Sequence, residues 1–172
     1  MISKASDNGG EFRGAWYSEC GVYRYCLEIV WEFGKAVMTT IALNPSTATE
    51  LEDDPTIRRL KAFSKGFGGG GVRILNAFAL RSTDPKKLFT HKDPIGPENT
   101  LEFLKANCSP LTIAAWGGNI QSKRWNHYYR GHDITAAISE LQCLRITDKG
   151  HPEHPLYLPS DLKPIPFSYK ES

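Results

Sequence analysis

Short apolar runs, each followed at once by polar residues, Gly or Pro, constrain this chain more than any other feature. Ala36 to Leu43 (AVMTTIAL) stops at Asn44-Pro45-Ser46-Thr47, and Val72 to Ala77 (VRILNA) passes into the stretch Asn76 to Arg81. Leu111 to Ala115 (LTIAA) stops at Trp116-Gly117-Gly118-Asn119, and Leu144-Arg145-Ile146 runs into the His- and Pro-bearing stretch Asp148 to Leu158. Runs this short and this apolar fit strands buried on both faces. Tyr23 to Trp31, rich in aromatic and β-branched residues, reads as an earlier strand broken at Gly34. Helical patterns lie between them. Asp53-Asp54-Pro55 opens one, with acidic side chains at the positive helix end and Pro in the first turn. Ile57, Leu60 and Phe63 follow at helical spacing, and the run Gly66 to Gly71 ends it. Two more helices are expected, from about Glu98 to Asn107 and over Asp133 to Leu141. Strands alternating with helices predict an α/β fold: a three-layer α/β/α sandwich with a mostly parallel central sheet. Residues 1–15 are polar and Gly-containing and read as a flexible N-terminal arm, with residues 16–172 as a single domain.

Composition narrows the partners. Lys plus Arg number 21 against 19 Asp plus Glu, a formal charge of +2. That balance excludes a highly basic nucleic-acid coat and a disordered acidic tail, while leaving room for a local basic patch. The four cysteines, Cys20, Cys26, Cys108 and Cys143, form no C-x-x-C pair and read as reduced thiols, so no metal and no cofactor is expected. The start Met1-Ile2-Ser3-Lys4 leads into Asp, Asn and Gly, and no stretch approaches about 18 consecutive apolar residues. A cytoplasmic protein with no membrane partner and no obligate protein partner is the expectation.

In sheets of this kind ligands sit at the carboxyl ends of the strands. The polar segments after each run should therefore gather on one rim, with two histidines and several aromatics. Those strand ends, in their order, resemble the uracil-DNA glycosylase superfamily. Its first motif, a Gly-x-(Asp or Asn)-Pro core after a buried strand, is matched by Ile41-Ala42-Leu43-Asn44-Pro45, closest to the Asn-Pro form of the mismatch-specific branch, with Ala42 at the first Gly. Asn76 matches a strand-end Asn that reads the base. Ala115-Trp116-Gly117 matches the Leu-Trp-Gly strand end, and His151-Pro152-Glu153-His154-Pro155-Leu156 resembles the closing His-Pro-Ser-Pro-Leu-Ser loop with one additional residue. The chain is also similar to a domain family of unknown function in bacteria and phages, marked by LNPSTA (Leu43–Ala48), DDPTIRR (Asp53–Arg59) and HPLYLP (His154–Pro159).

The first resemblance implies a glycosylase-like fold and a monofunctional DNA glycosylase, a hydrolase that flips out a modified or mismatched base and cleaves its N-glycosidic bond. Repair and defence against modified phage DNA are both compatible with it. Such hydrolysis needs a held water, a stabiliser for the oxocarbenium and donors aimed at the departing base. Asn44 is the candidate for the water. Asp53 or Asp54 supplies negative charge or a base, or simply caps the following helix. Asn76 reads a base edge through its donor and acceptor, or satisfies local backbone. His154 or His151 donates to the leaving base. Pro45, Ser46, Thr47, Trp116 and Gly117 complete the candidate substrate pocket. Leu156, Tyr157 and Leu158 form a wedge into the duplex if their loop projects, or cover the core if it does not. Lys123 and Arg124 open a segment of interleaved cations and aromatics, Lys123 to Arg130, that suits a nucleic-acid strand or reads as a solvated amphipathic segment. The formal G-x-G-x-x-G in Gly66 to Gly71 precedes a strand, so it reads as a helix terminator. Two rivals share the pocket: a hydrolase acting on free modified nucleotides, and a module that binds nucleotides or modified DNA without cleaving them.

Overall fold

Asp54 begins α1 (Pro55–Gly66) as its position before a proline dictates: Oδ1 accepts from the Ile57 N–H at 2.8 Å, and Pro55 sits where no backbone donor is needed. The helix buries Ile57, Leu60 and Phe63 against Leu27, Ile29, Met38, Val72 and Ile74 on one face of a sheet. Each such side chain contributes about 1.5–3 kcal/mol of burial. On the opposite face Leu104, Ile134 and Ile138 pack with Ile41, Leu75, Ala114 and Cys143. Alternation along the strands divides the two cores, since successive side chains point to opposite faces. The α/β class and the helices on both faces thus follow from the spacing of the apolar residues.

The computed structural model describes residues 1–7, 9–46, 51–84, 86–121 and 129–169. Among these, eight strands form one sheet: β1 (Ile2–Asp7), β2 (Phe12–Tyr17), β3 (Arg24–Val30), β4 (Val37–Ala42), β5 (Gly71–Asn76), β6 (Thr112–Ala114), β7 (Gln142–Cys143) and β8 (Ile165–Pro166). Their spatial order is β1-β2-β3-β5-β4-β6-β7-β8. The remaining helices are α2 (Lys86–Thr90), α3 (Leu101–Ala106) and α4 (Arg130–Ala137).

The parallel majority expected from the sequence is corrected. Three neighbouring pairs are parallel, in the central order β5-β4-β6-β7, and four are antiparallel. Link length is the physical reason. A parallel crossover needs about a dozen residues or more. Residues 31–36, between β3 and β4, are too few, so β3 runs against β4 and against β5, whose return through α1 makes it parallel to β4. The expected loose arm is also corrected: residues 1–15 supply β1 and most of β2, paired from Ile2↔Tyr17 to Asp7↔Phe12. The strand expected at Leu144 to Ile146 lies earlier, at β7. The helix expected over Asp133 to Leu141 begins at Arg130 and ends at Ala137.

The glycine run after α1 packs against backbone. A Cβ on Gly70 would lie 2.2 Å from the Glu32 carbonyl oxygen, and the Gly70 carbonyl accepts from Trp31 and Glu32. No helix among the described residues is long and apolar enough to cross a membrane.

Candidate functional site

β4 is the central strand from which the chain steps first to β5 on one side and then to β6 on the other. Such a reversal opens a crevice at the carboxyl end of the first strand. A cavity of about 440 Å³ lies there, lined by residues that follow β4, β5, β6 and β7. Its size is in the range of small-molecule sites. Asn44, Ser46, Asp54, Asn76, Trp116, Gly117 and His154, all singled out from the sequence, line it together.

Asn44 stands two residues beyond β4. Its Nδ2 donates to the Ser82 carbonyl at 2.8 Å and to the Pro45 carbonyl at 3.1 Å. Two carbonyl partners fix the amide's orientation, because a flipped amide would set oxygen against oxygen. Both N–H groups are engaged, so the amide oxygen is the group Asn44 has to offer a ligand.

Asn76 ends β5 and is 1% exposed. Neither its amide oxygen nor its amide nitrogen has a hydrogen-bond partner among the described residues. Its backbone is held firmly. The Nδ2 of Asn99 donates to the carbonyls of Asn76 (3.0 Å) and Ala77 (3.2 Å), and Arg130 donates to Ala77 and Asn99. The strand end is thus fixed while the side chain keeps a donor and an acceptor at the cavity wall.

His154 begins a turn of 3-10 helix at Pro155–Tyr157, and its Nδ1 accepts from the Leu156 N–H at 3.3 Å. In the neutral ring the proton then resides on Nε2. Burial pushes the His154 pKa below its ordinary value, against the opposing charge of Asp54. The cavity therefore holds a neutral histidine with one N–H donor. Trp116 is buried, and its Nε1 donates to the Tyr169 hydroxyl at 3.0 Å. Gly117, at φ +70°, makes a turn that a side chain would strain, and its N–H donates to the Pro152 carbonyl.

Asp54 both caps α1 and lines the cavity. Oδ1 takes the Ile57 N–H, and Oδ2 accepts from the Ser46 hydroxyl. Asp53 departs from the expectation. It lies outside the cavity lining in an ion network, where Arg13 (2.6 Å) and Lys61 (3.0 Å) meet both Asp53 and Glu11. Burial raises its pKa, but the hydrogen bonds and charges of Arg13 and Lys61 outweigh that and hold it below the usual value.

The two histidines separate in the same way. His151 is buried, edge-on to Tyr169 at 6.0 Å, and is not among the lining residues, so of the two histidines His154 lines the cavity. Pro45 is buried too, its carbonyl accepting from Ser82 N–H at 3.0 Å, and it does not line the cavity. The expected wedge is corrected at Leu158, a core residue whose carbonyl is held by Arg59. Leu156 is half-buried, and Tyr157 alone of the three projects, 88% exposed. Thr47, Lys123 and Arg124 lie outside the described residues.

Arg24 was not legible as a site residue. It opens β3, and because β3 runs against β5 its first residue reaches the rim where the parallel strands end. The guanidinium is 2% exposed and lines the cavity. Burial lowers its pKa, with Tyr17 and Asp54 acting in opposition, and arginine starts high enough to remain a cation. Among the described residues no three His, Cys, Asp or Glu side chains gather as metal ligands.

No curated protein and no solved structure matches the chain. Residues 24–156 match the family described as Protein of unknown function (DUF1643), and the chain belongs to that family.

Proposed function

We propose that this protein is a monofunctional DNA glycosylase-like hydrolase that takes a flipped, modified or mismatched base into the cavity and cleaves its N-glycosidic bond. The side chain of Asn76 carries the reading. A buried amide whose donor and acceptor both lack partners among the described residues costs about 1–3 kcal/mol for each unmet group. A ligand offering the reverse pair recovers that cost, and a nucleobase edge is such a ligand. The resemblance of Asn44-Pro45, Asn76, Trp116-Gly117 and the His154 loop to uracil-DNA glycosylase motifs supports the same assignment, since these residues line or border one cavity.

The chemistry assigned to each group follows from its partners. A water held by the Asn44 amide oxygen attacks the anomeric carbon as the carbon–nitrogen bond breaks toward the base. The bonding pair leaves with the base, and His154 Nε2–H stabilises the developing anion. The Asp54 carboxylate balances positive charge on the sugar. The water's oxygen and one proton remain on the sugar as its new hydroxyl and the other proton ends on the departed base anion, so base and abasic sugar are the products.

A second reading has its own observation. Because Leu158 is core and Leu156 half-buried, the loop presents only Tyr157 for opening a duplex. That favours a hydrolase acting on free modified nucleotides in the same cavity. Incubation with a panel of duplexes carrying different modified or mismatched bases, followed by alkaline cleavage, separates the two. Cleavage at one modified position is expected; intact strands throughout, with base released from free nucleotides, would transfer the function to the second reading.

A further inference from the structure

We propose that the Asn76 amide turns over to suit its ligand, so that the cavity admits nucleobases with either order of pairing edge. One order is a ring N–H beside a carbonyl; the other is a ring nitrogen beside an amino group. The inference rests on reading the cavity as a nucleobase site, and adds to it which edges that site accepts.

Two amides line this cavity, and they are held differently. Asn44 is locked, because its Nδ2 donates to the Ser82 carbonyl at 2.8 Å and to the Pro45 carbonyl at 3.1 Å. Turning it over would set oxygen against oxygen. Asn76 is held through its main chain alone. Its carbonyl accepts from Asn99 at 3.0 Å, and the strand pairing sets it opposite Ala42 on β4. Its side chain is 1% exposed, lines the cavity, and has no hydrogen-bond partner at either polar atom among the described residues. The χ2 torsion of an asparagine is broad and roughly two-fold, and its oxygen and nitrogen fill nearly the same space. No hydrogen bond among the described residues ranks one orientation of Asn76 above the other. The ligand therefore sets it.

An imide edge, as in uracil, offers a ring N–H and a carbonyl oxygen. An amidine edge, as in cytosine, offers a ring nitrogen and an amino group. The first pairs with the amide in one orientation, the second with the amide turned by about 180°. In each case both buried polar atoms of Asn76 gain the partner they lack. A locked amide would instead set donor on donor and acceptor on acceptor at one of the two edges, and so reject it. With Asn76 unlocked, the pairing edge does not select the base. Selection then falls to how readily a base leaves the helix, and a mismatched or damaged base leaves most readily.

Equilibrium binding by calorimetry tests the turning amide in the full chain and in Asn76→Leu. The probes are 2′-deoxyuridine, 2′-deoxycytidine and 3-methyl-2′-deoxyuridine, in which a methyl group replaces the ring N–H. The first two should bind within about tenfold of each other, and the methylated nucleoside about tenfold or more weaker than both, the scale of a buried group left unmet. Asn76→Leu should weaken both unmodified nucleosides to a similar extent. A preference of about tenfold or more for one of them in the unaltered protein would overturn the turning amide while leaving the nucleobase reading intact. Undiminished binding of the methylated nucleoside would overturn it too, as would an Asn76→Leu loss that is absent or confined to one nucleoside. Binding of none of the three would overturn the nucleobase reading as well. The three probes decide the matter in the unaltered protein even if Asn76→Leu fails to fold.

Discussion

Asn99 donates from its side-chain amide to the main-chain carbonyl of Asn76 at 3.0 Å, and so anchors the strand end that presents the site's unpartnered amide. Asn99 is fully buried, and its own carbonyl accepts from Arg130 at 2.6 Å. Replacing Asn99 with Ala removes this donor from the Asn76 carbonyl, while the Ala77 carbonyl keeps the Arg130 donor. The loss expected is about 1–3 kcal/mol, the cost of one buried carbonyl left short of a donor. Urea denaturation checks it; a change below about 0.5 kcal/mol would mean that the anchor is unimportant.

His154 is held neutral by burial and by the Leu156 N–H that its Nδ1 accepts. Its folded pKa lies below the ordinary 6.5, so the neutral form persists as pH falls past that value and is lost at the lower folded pKa. Protonation sets a new Nδ1–H against the Leu156 N–H and so disturbs the aim of Nε2–H, and base release should therefore have an acid limb below pH 6.5. In His154→Gln, whose amide donor does not titrate, that limb should vanish. A limb that stays unchanged in this variant would assign it to another group.

Asp53 belongs to the Arg13–Lys61–Glu11 network and contributes through its ionised form. Its folded pKa is below that of the unfolded chain, so the contribution is complete above the unfolded value, about 4, and fades as pH falls through the folded one. Asp53→Asn should lower Tm at neutral pH. The gap from the unaltered protein should close below about pH 4. A gap independent of pH would show that packing, not charge, is lost.

Leu158 and Tyr157 are neighbours with opposite placements. Leu158→Ala opens a hole in the α1 core and should cost about 2–5 kcal/mol. Tyr157→Ala should change stability by less than about 0.5 kcal/mol. If the projecting ring touches DNA, this variant loses activity on duplexes. Full duplex activity would remove Tyr157 from the interface.

The strand ends were legible in the sequence because apolar runs stop abruptly at Asn44-Pro45, Asn76 and Trp116-Gly117, and ligands collect where parallel strands end. The capping role of Asp54 was legible from Pro55. Arg24 was not, since it precedes a strand and reaches the rim only because β3 is antiparallel to β5. The short link 31–36 held that information, but hydrophobic pattern alone does not read it. β1 escaped notice for a different reason: its residues are mostly exposed, and an edge strand with polar faces has no periodic apolar signal. Asp53 and Asp54 look equivalent as neighbours, yet only the fold shows one turned to Arg13 and the other to Ser46 and Ile57.

Asn44 bears the central claim, because its amide hydrogens are engaged by the Ser82 and Pro45 carbonyls and its oxygen is assigned to the attacking water. Rates of base release should be compared between the unaltered protein and Asn44→Ala, on a duplex from which the unaltered protein is found to release a base, with folding verified by circular dichroism. A fall of about 10²–10⁴-fold is expected, the usual worth of a group that positions or activates a water. Release at the unaltered rate from a folded Asn44→Ala protein would contradict the mechanism.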